Sequence, residues 1–185
     1  MLTPTSSARI ADRFRTIRPT ASQHIRLAQP EGTSTMTQPD TADTNLAAPH
    51  LALLASVHLG VLITLKRDGR PQSSNIAYAY DATSRRVSIS TTAKTVKVAN
   101  LRRDPRANLH VIAPDGWNWM AVEATAVLTP IAQDRDDATV EELISIYRMI
   151  SGEHPDWDDF RRAMVEDQRL VVRLELQRTY GSAPR

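Results

Sequence analysis

The chain has no cysteine in its 185 residues. That removes disulfide bonds and thiolate metal sites, and it suits a reducing cytoplasm, the compartment expected for it. Its five histidines, His24, His50, His58, His110 and His154, include no pair at metal-ligand spacing, so no metal is expected. No apolar run approaches the roughly 20 residues of a membrane span. There is no Gly-x-Ser-x-Gly elbow and no His-Glu metal signature, which leaves hydrolytic nucleophile-and-base chemistry without support. Lysine is scarce as well: Lys66, Lys94 and Lys97 are the three lysines among 23 basic residues, and two of them fall in one short segment.

The formal net charge of +2 comes from the amino end. In residues 1–35, Arg9, Arg13, Arg15, Arg18 and Arg26 face Asp12 and Glu31, whereas from Met36 onward 18 Lys and Arg stand against 19 Asp and Glu. A nucleic-acid binder carries its excess positive charge on the folded domain. The near-neutral body therefore makes a small molecule the expected partner, with no nucleic acid and no membrane.

Residues 1–44 are rich in Ser, Thr, Pro and Gln without a sustained apolar period, and they read as a disordered extension that cannot offset the entropy of ordering. Met36 is an alternative start, and the arginine-rich, acid-poor composition also resembles a transit peptide. One domain is expected over residues 45–181, with a short tail at 182–185. It opens on a helix carrying Leu51, Leu53, Leu54 and Val57. Strands then follow at 59–66 and 71–80 around the hairpin signal Asp68-Gly69, and at 86–90. Two more, at 107–113 and 117–129, flank Pro114-Asp115-Gly116, and a last one covers 169–176. Trp117 and Trp119, two apart, are expected on one strand face. Helices are predicted at 136–150, ended by Ser151-Gly152, and after a cap at Asp156. Six strands joined mainly by hairpins predict a mainly β fold, an antiparallel barrel with inserted helices.

Between Ser90 and Arg106 a strand end delivers Ser90, Thr91, Thr92, Lys94 and Lys97 into a short helix that Asp104-Pro105 terminates. Hydroxyls, the free N–H groups of a helix start and a full positive charge together favour a phosphate. The competing reading of Lys97 is a solvated helix lysine. Lys97 and Asn100, three apart, share a helix face. The polar run Gln72-Ser73-Ser74-Asn75 is odd for a core strand and, taken alone, reads as an edge strand with a wet face. Arg102, Arg103 and Arg106 are either a steering patch for an anionic ligand or a solvated face.

Four segments in order, LITLKRDGRPQSSN (62–75), KVANLRRDPRA (97–107), DGW (115–117) and YRMISGEHPDWDDFRRAMV (147–165), resemble the coenzyme F420-dependent branch of the pyridoxamine 5′-phosphate oxidase-like oxidoreductases. The likeness spans roughly residues 46–181. It implies a six-stranded Greek-key split β-barrel of the FMN-binding type, a homodimer, and hydride transfer between the deazaflavin F420 and a conjugated organic acceptor. It further implies that Lys97, with Ser90, Thr91, Thr92, Lys94 and Asn100, holds the cofactor phosphate. Gln72, Ser74 and Asn75 would line its ring, and Trp117 would reach it near the subunit interface. Thr95 stands where some relatives carry a second basic residue. The alternatives are FMN as cofactor, or an F420-binding protein without turnover. No catalytic proton donor is assigned, and His154 reads as part of a turn.

Overall fold

The computed structural model describes residues 46–182; the readings for residues 1–44 and for 183–185 lie outside them. In chain order the elements are α1 (Ala48–Ser56), β1 (Leu59–Leu65), β2 (Pro71–Ala77), β3 (Ala79–Asp81), β4 (Arg86–Thr92), α2 (Val96–Arg103), β5 (Arg106–Ile112), β6 (Trp119–Leu128), α3 (Ala138–Ser151), α4 (Trp157–Glu166) and β7 (Arg169–Ser182). All pairings are antiparallel, in the order β2-β1-β5-β6-β7-β4-β3. The fold is thus mainly β, as expected, with seven strands instead of six.

The extra strand arises at Tyr78, which divides the stretch expected to be one strand. β2 and β3 occupy opposite edges of the sheet yet are separated in sequence by this one residue, so the sheet must curl round to bring its edges together. Tyr78 is fully buried. Its backbone N–H donates to His58 O at 2.9 Å and its hydroxyl to Leu54 O at 3.0 Å. Burial pushes the phenol far above its ordinary range, because an ionised oxygen there would lose its water. The core fills the interior of the curl with Leu62, Ile89, Leu109, Val122, Leu170 and Leu174, closed at one end by Leu53 and Leu54 of α1.

The turns follow their residues. Gly69 and Gly116 take positive φ (81° and 74°) in the β1–β2 and β5–β6 hairpins, as such tight turns require. Asp115 Oδ1 accepts the N–H groups of Trp117 and Asn118, each at 2.9 Å. This side-chain turn holds Trp117 out of the sheet, so β6 begins at Trp119 and the two tryptophans do not share a strand face. Beside that turn β7 continues past Leu176 to Ser182, because β6 stays alongside it through the pair Trp119↔Ser182. Asp137 and Asp156 cap α3 and α4 by accepting from Val140 N and Asp159 N, and Gly152 ends α3's run with φ 79°.

Candidate functional site

Strand β4 and helix α2 meet at Thr92-Ala93-Lys94-Thr95, and this junction gathers most of the predicted phosphate residues. Lys97 is half-buried, and its Nζ lies 3.5 Å from the buried Thr91 Oγ1. Thr91 Oγ1 is also 3.4 Å from Thr95 Oγ1. The Thr95 hydroxyl donates to Thr92 O at 3.0 Å and leaves the start of α2 without a side-chain cap. The first-turn N–H groups of α2 therefore keep their capacity for an external acceptor. Burial, aided by the nearby Arg169 guanidinium, holds the Lys97 ammonium below its ordinary pKa. No carboxylate of the described residues forms an ion pair with it. A half-buried cation with hydroxyl partners suits a phosphoryl group, which would supply the missing negative charge.

Ser90 and Thr92 lie on the face of β4 opposite Thr91, both partly exposed. Lys94 is exposed and forms none of these bonds. Asn100 is 4 % exposed and points beneath the helix. Its Nδ2 donates to Thr64 Oγ1 at 3.0 Å, Thr64 donates to Gln72 Oε1 at 3.1 Å, and Gln72 Nε2 donates to Ser74 Oγ at 2.7 Å. This relay ties α2 through β1 to β2, so the helix and the strand predicted to meet the phosphate and the ring are positioned by one hydrogen-bonded chain. Thr64 is its middle member and was not singled out in the sequence, where nothing marks a threonine in an apolar strand as a partner of an asparagine 36 residues away.

Alternation along β2 separates the predicted ring contacts. Gln72 and Ser74 face Thr64's side of the sheet, whereas the exposed Asn75 points outward with Ser73. β2 is an edge strand bonded to β1, so its free edge also offers backbone N–H and C=O groups to a heteroaromatic ring. On the outward face, His110, Trp119 and Tyr180 stack in sequence, with ring centroids 5.5 Å and 6.3 Å apart. His110, Ile112, Gly116 and Trp119 line a shallow depression of about 240 Å³ there. Leu59, Ile112 and Tyr180 leave 40–49 % of their surface exposed on this face. Trp117 stands at its margin, 82 % exposed.

Of the three arginines after Lys97, Arg103 bonds Leu65 O and Asn100 Oδ1, and Arg106 forks onto Asp104 at 3.0 and 2.7 Å. Two of the three thus have protein partners, which leaves the exposed Arg102 as the available steering charge. His154 packs against Tyr147, Trp157 and Phe160 between α3 and α4. Among the described residues no cluster of three His, Asp or Glu converges as a metal site, and no helix is long and apolar enough to cross a membrane.

The family model described as pyridoxamine 5′-phosphate oxidase matches residues 46–182, the whole described domain. The chain belongs to that family. A curated relative, the F420H(2)-dependent biliverdin reductase of Mycobacterium tuberculosis (strain CDC 1551 / Oshkosh), is 26 % identical over 140 residues, covering 76 % of this chain and 90 % of the relative. Among solved structures, a conserved hypothetical protein from M. tuberculosis superposes with a TM-score of 0.60 at 23 % identity, covering 80 % of this chain and 90 % of that one. An F420 reductase superposes with a TM-score of 0.56 at 19 % identity, covering 73 % and 98 %. These structural likenesses establish the split β-barrel fold. Among the described residues, the β4–α2 junction and the edge strand β2 carry polar groups open to an external partner.

Proposed function

We propose that the protein is an F420-dependent oxidoreductase that acts as a homodimer and reduces a conjugated organic acceptor. The observation that carries this reading is the hydroxyl-partnered, carboxylate-free cation at the β4–α2 junction, joined by the Asn100–Thr64–Gln72–Ser74 relay to an open strand edge. The F420-dependent relative covered over 90 % of its length supports the choice of deazaflavin.

When bound, the reduced deazaflavin supplies a hydride. The chain's own work is to hold and orient. Lys97, the Thr91 hydroxyl and the α2 N–H groups bind the phosphate from one face of β4, Ser90 and Thr92 reach it from the other at the strand end, and Lys94 adds positive charge at the entrance. Asn100 fixes α2 from below. Gln72 and Ser74, or Asn75 from the opposite face, together with the β2 edge, meet the ring heteroatoms. The partner subunit covers the outward face around Leu59, Ile112 and Tyr180, brings Trp117 toward the ring and excludes water. An open-chain tetrapyrrole is the acceptor class to try first, on the strength of the relative's substrate.

The test mixes the protein with reduced F420 and follows its oxidation with biliverdin and a panel of quinones. Acceptor-dependent oxidation is expected. Tight F420 binding with no turnover on any acceptor would make the protein a carrier of the cofactor. FMN is the second reading, favoured by the family match itself. It predicts purified protein that retains a yellow flavin and does not bind F420.

A further inference from the structure

Arg169 opens β7 directly beside the phosphate segment, in register with Thr92 of β4. Its side chain is 22 % exposed, and its Nη1 donates to Ser90 Oγ at 3.1 Å. The buried Nε has no hydrogen-bond acceptor, and the carboxylate it approaches, Asp167 Oδ2, is 3.6 Å away. Nη2 bonds no described residue, so the outer edge of the guanidinium fork is open. Arg169 is also close enough to Lys97 for its charge to disfavour the ammonium form.

Two cations partly withdrawn from water, Arg169 on the Ser90 hydroxyl and Lys97 on the Thr91 hydroxyl, repel each other, and Asp167, 3.6 Å from Arg169 Nε, offsets this only in part. Such an arrangement costs free energy in the empty protein and returns it when an anion bridges the two. Arginine suits that role because its planar fork meets two phosphoryl oxygens at once, whereas lysine contributes a point charge.

We infer that Arg169 is a second phosphate-binding residue, brought from β7 to close on the phosphoryl group of the cofactor opposite Lys97. This rests on the reading of the β4–α2 junction given under Proposed function. It also supplies, from a distant strand, the positive charge that Thr95 does not provide.

The test compares two ligand pairs by fluorescence or absorbance titration: F420 with its phosphate-free deazaflavin nucleoside, and FMN with riboflavin. The proteins are the wild type, Arg169→Gln and Arg169→Lys. Arg169→Gln is expected to weaken the phosphorylated member of the bound pair about ten- to a hundred-fold, the range of a lost charged hydrogen bond. It should leave the phosphate-free member within about twofold, and Arg169→Lys should recover part of the loss. Equal losses for both members, or no loss for either, overturn the inference. If the wild type prefers FMN to riboflavin but ignores F420, the deazaflavin reading falls, and Arg169 is decided on the FMN pair. A wild type that gains nothing from phosphate in either pair overturns both. Arg169→Lys keeps the charge at the β7 start, so a folding defect confined to Arg169→Gln does not remove the test.

Discussion

Arginines that hold the helical cover onto this barrel are matched by carboxylates, whereas Lys97, where β4 runs into α2, is matched by a hydroxyl. Arg173 of β7 forks onto Glu142 of α3, with Nε 3.0 and 3.1 Å from its two oxygens. Arg161 of α4 reaches Glu141 at 2.6 Å and Asp136 at 3.2 Å, and Arg148 meets Glu153 at 3.0 Å. Those pairs neutralise themselves and pin α3 and α4 in place. Lys97 instead rests on Thr91, and Arg169 divides between Ser90 at 3.1 Å and the looser Asp167 at 3.6 Å. On the proposed reading, the contrast separates charge used to hold the fold together from charge kept for a ligand.

The strongest way to break that division is to remove a carboxylate from the cover. Glu142→Ala leaves the Arg173 guanidinium partly buried without its partner, and is expected to cost about 1–3 kcal/mol in urea unfolding, discounted for Arg173's exposure. F420 affinity should stay within about twofold. A matching loss of affinity would dissolve the distinction. A smaller stability effect sharpens it beneath α2, where that helix is tied to β1. Asn100→Ala removes the buried donor to Thr64 and should cost about 1–2 kcal/mol of stability. It should also weaken F420 several-fold, because α2 loses its anchor to β1.

Two pH experiments give the smallest effects. Burial alone would raise the Asp137 carboxyl, but backbone N–H groups of Gln133, Val140, Asp134 and Thr139 outweigh it and hold the carboxyl below its ordinary value. The folded pKa is the lower one, so this stabilisation is present above the unfolded value and disappears as pH falls through the folded one. Melting temperatures followed from about pH 5 to about pH 2 should decline less steeply in Asp137→Asn than in the wild type. At Lys97 the folded pKa is again the lower one, so the sign for folding is the same, while ligand binding runs the other way. Burial first, and Arg169 second, lower the Lys97 pKa, so folding favours its neutral form and ligand binding its charged one. F420 affinity should fall with rising pH before the ordinary lysine value of 10.5 is reached. In Arg169→Gln that decline should move to higher pH.

Local chemistry made much of the fold legible from sequence. Asp68-Gly69, Pro114-Asp115-Gly116, the Asp156 cap and Gly152 each act within a few residues, and each produced the turn or helix end expected of it. Tyr78 was not legible, because no turn residue marks the passage from β2 to β3 and the break exists to let the sheet close. The Trp117 displacement depends on Asp115 turning its carboxylate onto the next backbone N–H groups, a local competition that a simple two-residue periodicity does not weigh. At the candidate site, Lys97 and the hydroxyls of β4 could be found because they are contiguous. Arg169 could not: it lies 79 residues from Ser90, and an arginine at a strand start carries no signal until β4 and β7 are paired. Asn100 shares a helix face with Lys97 in sequence, yet its partner Thr64 emerges only when α2 packs against β1.

The most direct measurement is the affinity of wild type and Lys97→Ala for F420 and for the phosphate-free deazaflavin nucleoside. Wild type should prefer F420, and Lys97→Ala should lose about ten- to a hundred-fold on F420 alone, with an unchanged melting temperature. Equal affinity of the two proteins for F420 would contradict the assignment of the β4–α2 junction as the phosphate site.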